Sequence, residues 1–161
     1  MPLPPFQRLI DAYWRDVARL AHALVGREEG DDVAQQAWTQ AYAAYPSVRS
    51  SANLRGWLLT ITHRCAMDAH RARRRRPTPV DDGPLHASAA RTPAAAADAA
   101  LPEALLWQRV GALPDRQRQA VLLRYVADLE HRDIARALGT TATASRRLVS
   151  DGLATLRRDL T

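Results

Sequence analysis

At 161 residues, 47% of them apolar, and with a formal charge of +6, the chain is too apolar for a disordered tail and basic enough to favour polyanionic partners. Its length allows one domain or two small ones. The single cysteine, Cys65, excludes an internal disulfide, and no apolar run approaches the ~18 residues of a membrane-spanning helix. The opening MPLPPFQRLID has no long apolar stretch and no cleavage-like site, so a soluble cytoplasmic protein without a membrane partner is expected. All 23 basic residues are arginine, which follows equally from a GC-rich genome or from selection for guanidinium chemistry.

Residues 6–25 set Phe6, Leu9, Ile10, Tyr13, Val17, Leu20, Ala21 and Leu24 on one helical stripe, and Gly26 stops it. A second helix is expected in GDDVAQQAWTQAYAAY. It places Asp31 or Asp32 near its N-terminus, where a carboxylate suits the free N–H groups. Val33, Ala34, Ala37, Trp38 and Ala41 form its apolar face. Pro46 breaks it, and PSVRSSA reads as a loop. Asn53 is placed to cap a third helix, LRGWLLTITHRCAMDAHRARRRR, with Leu54, Trp57, Leu58, Ile61, Cys65 and Met67 or Asp68 on its stripe. Residues 77–100 then carry four prolines and many small residues, the composition of a linker. Such a segment would average ~25–30 Å as a coil and reach ~80 Å extended, more than two touching domains need.

The second block opens with a short helix that should bury Leu105, Leu106, Val110 and Leu113. Pro114 and Asp115 start the next one as helices prefer. EHRDIARALG gives Ile134, Ala135 and Leu138 inside and Gly139 as a stop, and Thr141 caps the last helix, with Val149, Leu153, Leu156 and Leu160 inward. No segment of useful length has strand period. The expected fold is all-α, in two small helical domains, 1–76 and 101–161, joined by a flexible Pro/Ala-rich linker at 77–100. Each domain is near the lower limit for a self-sufficient core.

DIARALGTTATASRRL is a short helix, a glycine turn and a second capped helix, the helix-turn-helix plan. Thr143, Arg146 and Arg147 lie in the first turns of its second helix, where such motifs meet a major groove. The third helix is basic, with Arg55, Arg64, Arg71 and the run Arg73–Arg76, and Trp57 lies among them. Basic plus aromatic suits a nucleic-acid strand, although Trp57 on an apolar stripe is better explained by packing. Four arginines in a row exceed what a helix C-terminus needs. His63 and His70 share a face but Cys65 points elsewhere, which makes a poor zinc set. Asp31, Asp32, Asp81 and Asp82 lack a histidine or nucleophile motif beside them, and there is no phosphate-cradling glycine loop. Neither an enzyme nor a cofactor is indicated.

Taken together these stretches resemble the two-domain bacterial sigma factors of the extracytoplasmic-function group. DDVAQQAW resembles the family's stretch of acidic, aliphatic and Gln residues before an aromatic. LRGWLLTITHRCAMDAHRARRRR is similar to its WLxxIxxNxxxDxxRxxxR helix, and LPDRQRQAVLLRYVADLEHRDIARALG to its second-domain signature. The resemblance implies that Asp32, Gln35 and Gln36 bind the beta-prime clamp helices of core RNA polymerase. Ser50, Ser51 and Asn53 would capture a flipped base of the minus-ten element, and Arg64, Asp68, Arg71, Arg74 and Arg75 would hold the strand. Thr143, Arg146, Arg147 and Ser150 would enter the minus-thirty-five element, with the beta flap as a second polymerase contact. An anti-sigma factor is a further implied partner. Gln36, Arg64, Glu130, His131, Leu148 and Asp151 depart from the family's usual residues.

Two other readings compete. A helix-turn-helix regulator acting without polymerase would use only residues 115–160. A degenerate sigma-like interaction protein would bind polymerase and start no transcripts.

Overall fold

The computed structural model describes residues 2–76 and 101–159, and within them every regular element is helical. α1 (Phe6–Val25), α2 (Arg27–Ala44) and α3 (Leu54–Arg75) pack against one another, and α5 (Asp115–Tyr125), α6 (His131–Leu138) and α7 (Ala142–Asp159) form a second group, with α4 (Leu101–Ala112) laid on α5 and α7. The all-α expectation holds, in two bundles. The expected linker, 77–100, lies outside the described residues, as does Leu160.

In the first bundle, Leu9, Val17, Leu20, Ala21 and Leu24 are buried as the stripe predicts. Gly26 stops α1 with φ +85°, a left-handed value that glycine takes without steric cost. One residue suffices for that turn, so α2 begins at Arg27, earlier than expected. Glu28 and Glu29 occupy its first turn, and Asp31 and Asp32 sit further along the helix. Gly30 is needed for space: a Cβ there would lie 1.8 Å from the His22 ring. His22 Nε2 also meets Asp31 at 2.8 Å, which ties α1 to α2. Phe6 makes edge-on contacts with Trp38, Tyr42 and Tyr45 at 6.0, 5.2 and 5.2 Å, each worth about 0.5–1.5 kcal/mol beyond area burial. Tyr45 opens a short 3-10 turn, Tyr45–Ser47, where a plain loop was expected.

Asn53 caps α3 as predicted, its Oδ1 accepting from the Gly56 N–H at 2.9 Å. That side chain folds so closely over residue 56 that a Cβ there would sit 2.5 Å from it, which explains the glycine. Leu54, Leu58, Ile61 and Cys65 are buried, and Trp57 packs half-buried against the core, 6.1 Å from Tyr45. Burial raises the Cys65 thiol pKa, and Asp68 adds to that.

In the second bundle, Val110 and Leu113 are buried, but Leu105 and Leu106 are 46% and 43% exposed. The expectation that both point inward is corrected. Among the described residues α4 packs mainly on α5 and α7, which leaves part of its apolar side uncovered. Gly139 takes the left-handed C-cap conformation, φ +61°, and Thr141 Oγ1 accepts from Ala144 N–H at 3.1 Å, so the turn and the cap of the helix-turn-helix are both as read. Asp128, at φ +51°, is the one non-glycine residue with positive φ among those described.

The bundles also touch. α3 packs on α6 and α1 on α5, and buried apolar residues form one continuous cluster from Val17 to Leu156. The linker composition offers more reach than touching domains need, and in this arrangement the two bundles meet. Arg64 and Arg71–Arg76 nevertheless remain exposed.

Candidate nucleic-acid and protein interfaces

Three polar faces stand out, each the back of an element whose other side is buried. On α2, burying Val33, Ala37 and Ala41 leaves Asp32, Gln35 and Gln36 exposed together on the opposite side. Thr39 and Tyr42 extend that row by a further turn, and both are exposed. They were missed at first, although spacing of three and four residues from Gln35 could have found them.

On α3, Arg64, Asp68, Arg71 and Arg75 recur every three to four residues and form an exposed stripe. Asp68 pairs with Arg71 at 3.0 Å, so one arginine of the stripe is partly neutralised. Arg73 leaves the stripe to pair with Glu29 of α2, and Arg74 reaches Asp115 of the second bundle at 3.5 Å. Arg71 and Arg74 line an open cleft of about 300 Å³ between α3 and α5, with His63, His70, Arg116 and Arg118. The loop residue Ser50 is exposed and accepts from Ala52 N–H at 3.2 Å, whereas Ser51 is half-buried. Asn53 is not a free loop residue: its oxygen caps α3 and its amide nitrogen donates to Asp133 Oδ2 at 2.8 Å.

His63, His70 and Cys65 are spent separately. His63 is buried and meets Gln119 Oε1 at 3.0 Å, His70 meets the Leu24 carbonyl at 3.0 Å, and Cys65 lies in the core. Burial lowers the His63 pKa, with Arg64 and Arg116 adding to that against the opposing Gln119 hydrogen bond.

On α7, Ser145, Val149, Gly152 and Leu156 face inward. Thr143, Arg146, Arg147 and Ser150 consequently share the outer side, all exposed. Leu148 is half-buried and packs on the core, so it lies off that row. His131 of α6 meets Ser145 Oγ at 3.0 Å and braces α7 against α6. Burial lowers the His131 pKa, and Arg124 and Arg146 act in the same direction.

Residues 9–76 match the family Sigma-70 region 2, and residues 103–156 match Sigma-70, region 4. The chain belongs to the sigma-70 family. Its relatives put this sigma factor in the extracytoplasmic-function (ECF) group. The ECF RNA polymerase sigma factor SigW of Bacillus subtilis is 25% identical over 167 residues, covering 96% of this chain and 88% of that one. The ECF RNA polymerase sigma-E factor of Escherichia coli K12 is 28% identical over 139 residues, 81% of this chain and 73% of that one. A probable RNA polymerase sigma factor, RfaY of Xanthomonas campestris, is 28% identical over 160 residues, 96% of this chain; the match spans only 40% of RfaY.

Two solved structures share the fold. One is the sigma factor RpoE of Bartonella quintana, solved with the anti-sigma factor NepR, with a TM-score of 0.72 at 19% identity over 96% of both chains. The other is CnrH, solved with the cytosolic domain of CnrY, with a TM-score of 0.69 at 19% identity over 96% of this chain and 86% of that one. Sigma factors are initiation factors rather than enzymes. No described helix of this sigma factor is long and apolar enough to cross a membrane.

Proposed function

We propose that the chain binds core RNA polymerase in the cytoplasm and directs promoter recognition and the start of transcription. The carrying observation is that one chain matches region 2 and region 4 in order, and each matched bundle bears an exposed arginine-rich row. The domains are residues 1–76 for polymerase and the minus-ten element and 101–161 for the minus-thirty-five element, with 77–100 as the tether. Asp32, Gln35 and Gln36 form the contact to the clamp helices. Arg64, Arg71, Arg74 and Arg75 hold the backbone of the melted strand, with Asp68 setting the position of Arg71 and with Ser50, Ser51 and Asn53 near the captured base. Thr143, Arg146, Arg147 and Ser150 enter the major groove. Each unpaired base stacked or held on the protein offsets part of the melting cost, by about 1–3 kcal/mol where an aromatic is available.

An anti-sigma factor is the further partner, as both structural neighbours were solved with a bound protein. It fits the apolar groove of about 690 Å³ between α1 and the second bundle, which Leu106, Trp107, Val110 and Tyr125 line and where Leu106 and Tyr125 are exposed. Arg19 and Arg27 on the rim suit an acidic segment.

Run-off transcription with purified core polymerase tests the reading. Defined start sites that need both core enzyme and this chain are expected. Asp32→Ala with Gln35→Ala should weaken core binding about ten-fold or more while leaving the helical content unchanged. A regulator acting without polymerase would bind DNA but give no such transcripts. A degenerate sigma would bind core and give none.

A further inference from the structure

The open cleft between α3 and α5 gathers four arginines, two from each bundle: Arg71 and Arg74 on α3, Arg116 and Arg118 on α5. At about 300 Å³ it is at the small end of ligand sites. Among the described residues Asp115, in the first turn of α5, is the one acidic residue that lines it. Its carboxylate accepts from Arg74 at 3.5 Å and from Arg118 at 3.1 Å, so an anion already sits between guanidinium groups of the two bundles.

Asp68, outside the cleft, pairs with Arg71 at 3.0 Å. Four guanidinium charges against these two carboxylates leave two positive charges over, even with His63 and His70 uncharged. The bonds that the four arginines make among the described residues engage one or two of the five N–H donors on each. Remaining donors, set in a planar fork, suit phosphate oxygens taken two at a time. Arg71, Arg74 and Arg116 are exposed, so a dissolved ligand reaches them. The first turn of α5 opens on the same cleft through Asp115 and Arg116, and its helix dipole also favours an anion. Met67, Ala137 and Leu138 add apolar surface.

We propose that the cleft binds a diphosphate group, carried by free pyrophosphate or by a nucleoside diphosphate, with one pair of arginines from each bundle around it. Two pairs of arginines on neighbouring helices suit a group of two phosphates better than a single small anion. The apolar surface is there for a base. Arg116 and Arg118 take no part in the rows assigned to polymerase or DNA. Arg71 and Arg74 do, so, on the function proposed above, a bound diphosphate competes with the melted strand.

Calorimetric titration of the full chain with pyrophosphate, ADP and sulfate, at constant ionic strength, tests the site. Saturable one-to-one binding of pyrophosphate or ADP is expected, about ten-fold tighter than that of sulfate. ADP bound more tightly than pyrophosphate assigns the ligand to nucleotides, and the reverse assigns it to free pyrophosphate. Arg116→Gln and, separately, Arg118→Gln should each weaken binding about ten-fold, the loss of a charge-assisted hydrogen bond. Arg8→Gln, at an exposed arginine outside the cleft, should leave it unchanged. Asp115→Asn removes the competing carboxylate and keeps all four arginines, and it should tighten binding about three-fold. No saturable binding, sulfate bound as tightly, or an equal loss in Arg8→Gln overturns the proposal, and so does weaker binding by a folded Asp115→Asn chain. If pyrophosphate binds yet leaves affinity for a single-stranded oligonucleotide unchanged, the strand role of Arg71 and Arg74 fails and the cleft assignment stands.

Discussion

His63 shows how one side chain can couple burial to pH. It is neutral when buried beside Arg64, Arg116 and the Gln119 amide, and its folded pKa lies below the ordinary value of 6.5. The unfolded chain therefore takes up the proton first as pH falls. The stabilisation is complete above about pH 6.5 and is lost as pH falls through the lower folded value. His131, also lowered, acts in the same direction. Urea midpoints at pH 7.5 and 5.5 should accordingly show a loss of stability in the acid. In His63→Gln, which keeps a hydrogen-bonding side chain, the loss should be smaller; an equal loss would mean that His63 does not carry it.

Helix α7 shows what an amphipathic pattern specifies. The spacing puts Val149, Leu153 and Leu156 inward; Val149 and Leu156 are buried together with Ser145 and Gly152, which leaves Thr143, Arg146, Arg147 and Ser150 on one outer side. Replacing Arg146 and Arg147 by alanine should weaken duplex binding and lower the slope of log affinity against log salt by about 1–2, near 0.9 per phosphate contact. Anisotropy titrations across salt concentrations measure it, and an unchanged slope removes both residues from the interface. Helix α4 shows the limit of the same logic. Leu105 and Leu106 belong to a helical stripe, but a pattern cannot say whether a neighbour arrives to cover them, and none of the described elements does so fully. The start of α2 was hidden for another reason: two glycines flank Arg27, Glu28 and Glu29, yet the Gly30 N–H donates to the Gly26 carbonyl at 2.9 Å and carries the helix back to Arg27.

At the scale of the molecule, the helices and their caps were legible because local spacing and capping chemistry determine them. The meeting of the bundles was not. Asn53 and Asp133 are 80 positions apart, and a capping asparagine carries no sign of a second, distant partner. Charge gave no hint either: Arg74–Asp115, at 3.5 Å, is an ion pair between the bundles, but Asn53–Asp133 and His63–Gln119 across the same seam are not. Small-angle scattering of the free chain should give a radius of gyration near the ~15 Å of a compact chain of this length. A value above ~20 Å would mean that the bundles stand apart in solution.

The placement of Cys65 bears on the response to oxidants. Peroxide attacks the thiolate, and a sulfur sealed among core side chains, with its proton held more tightly than usual, presents almost none. Oxidants that would inactivate a reactive cysteine should pass this protein by while it stays folded. Oxidation of this thiol is therefore no means of switching the folded chain.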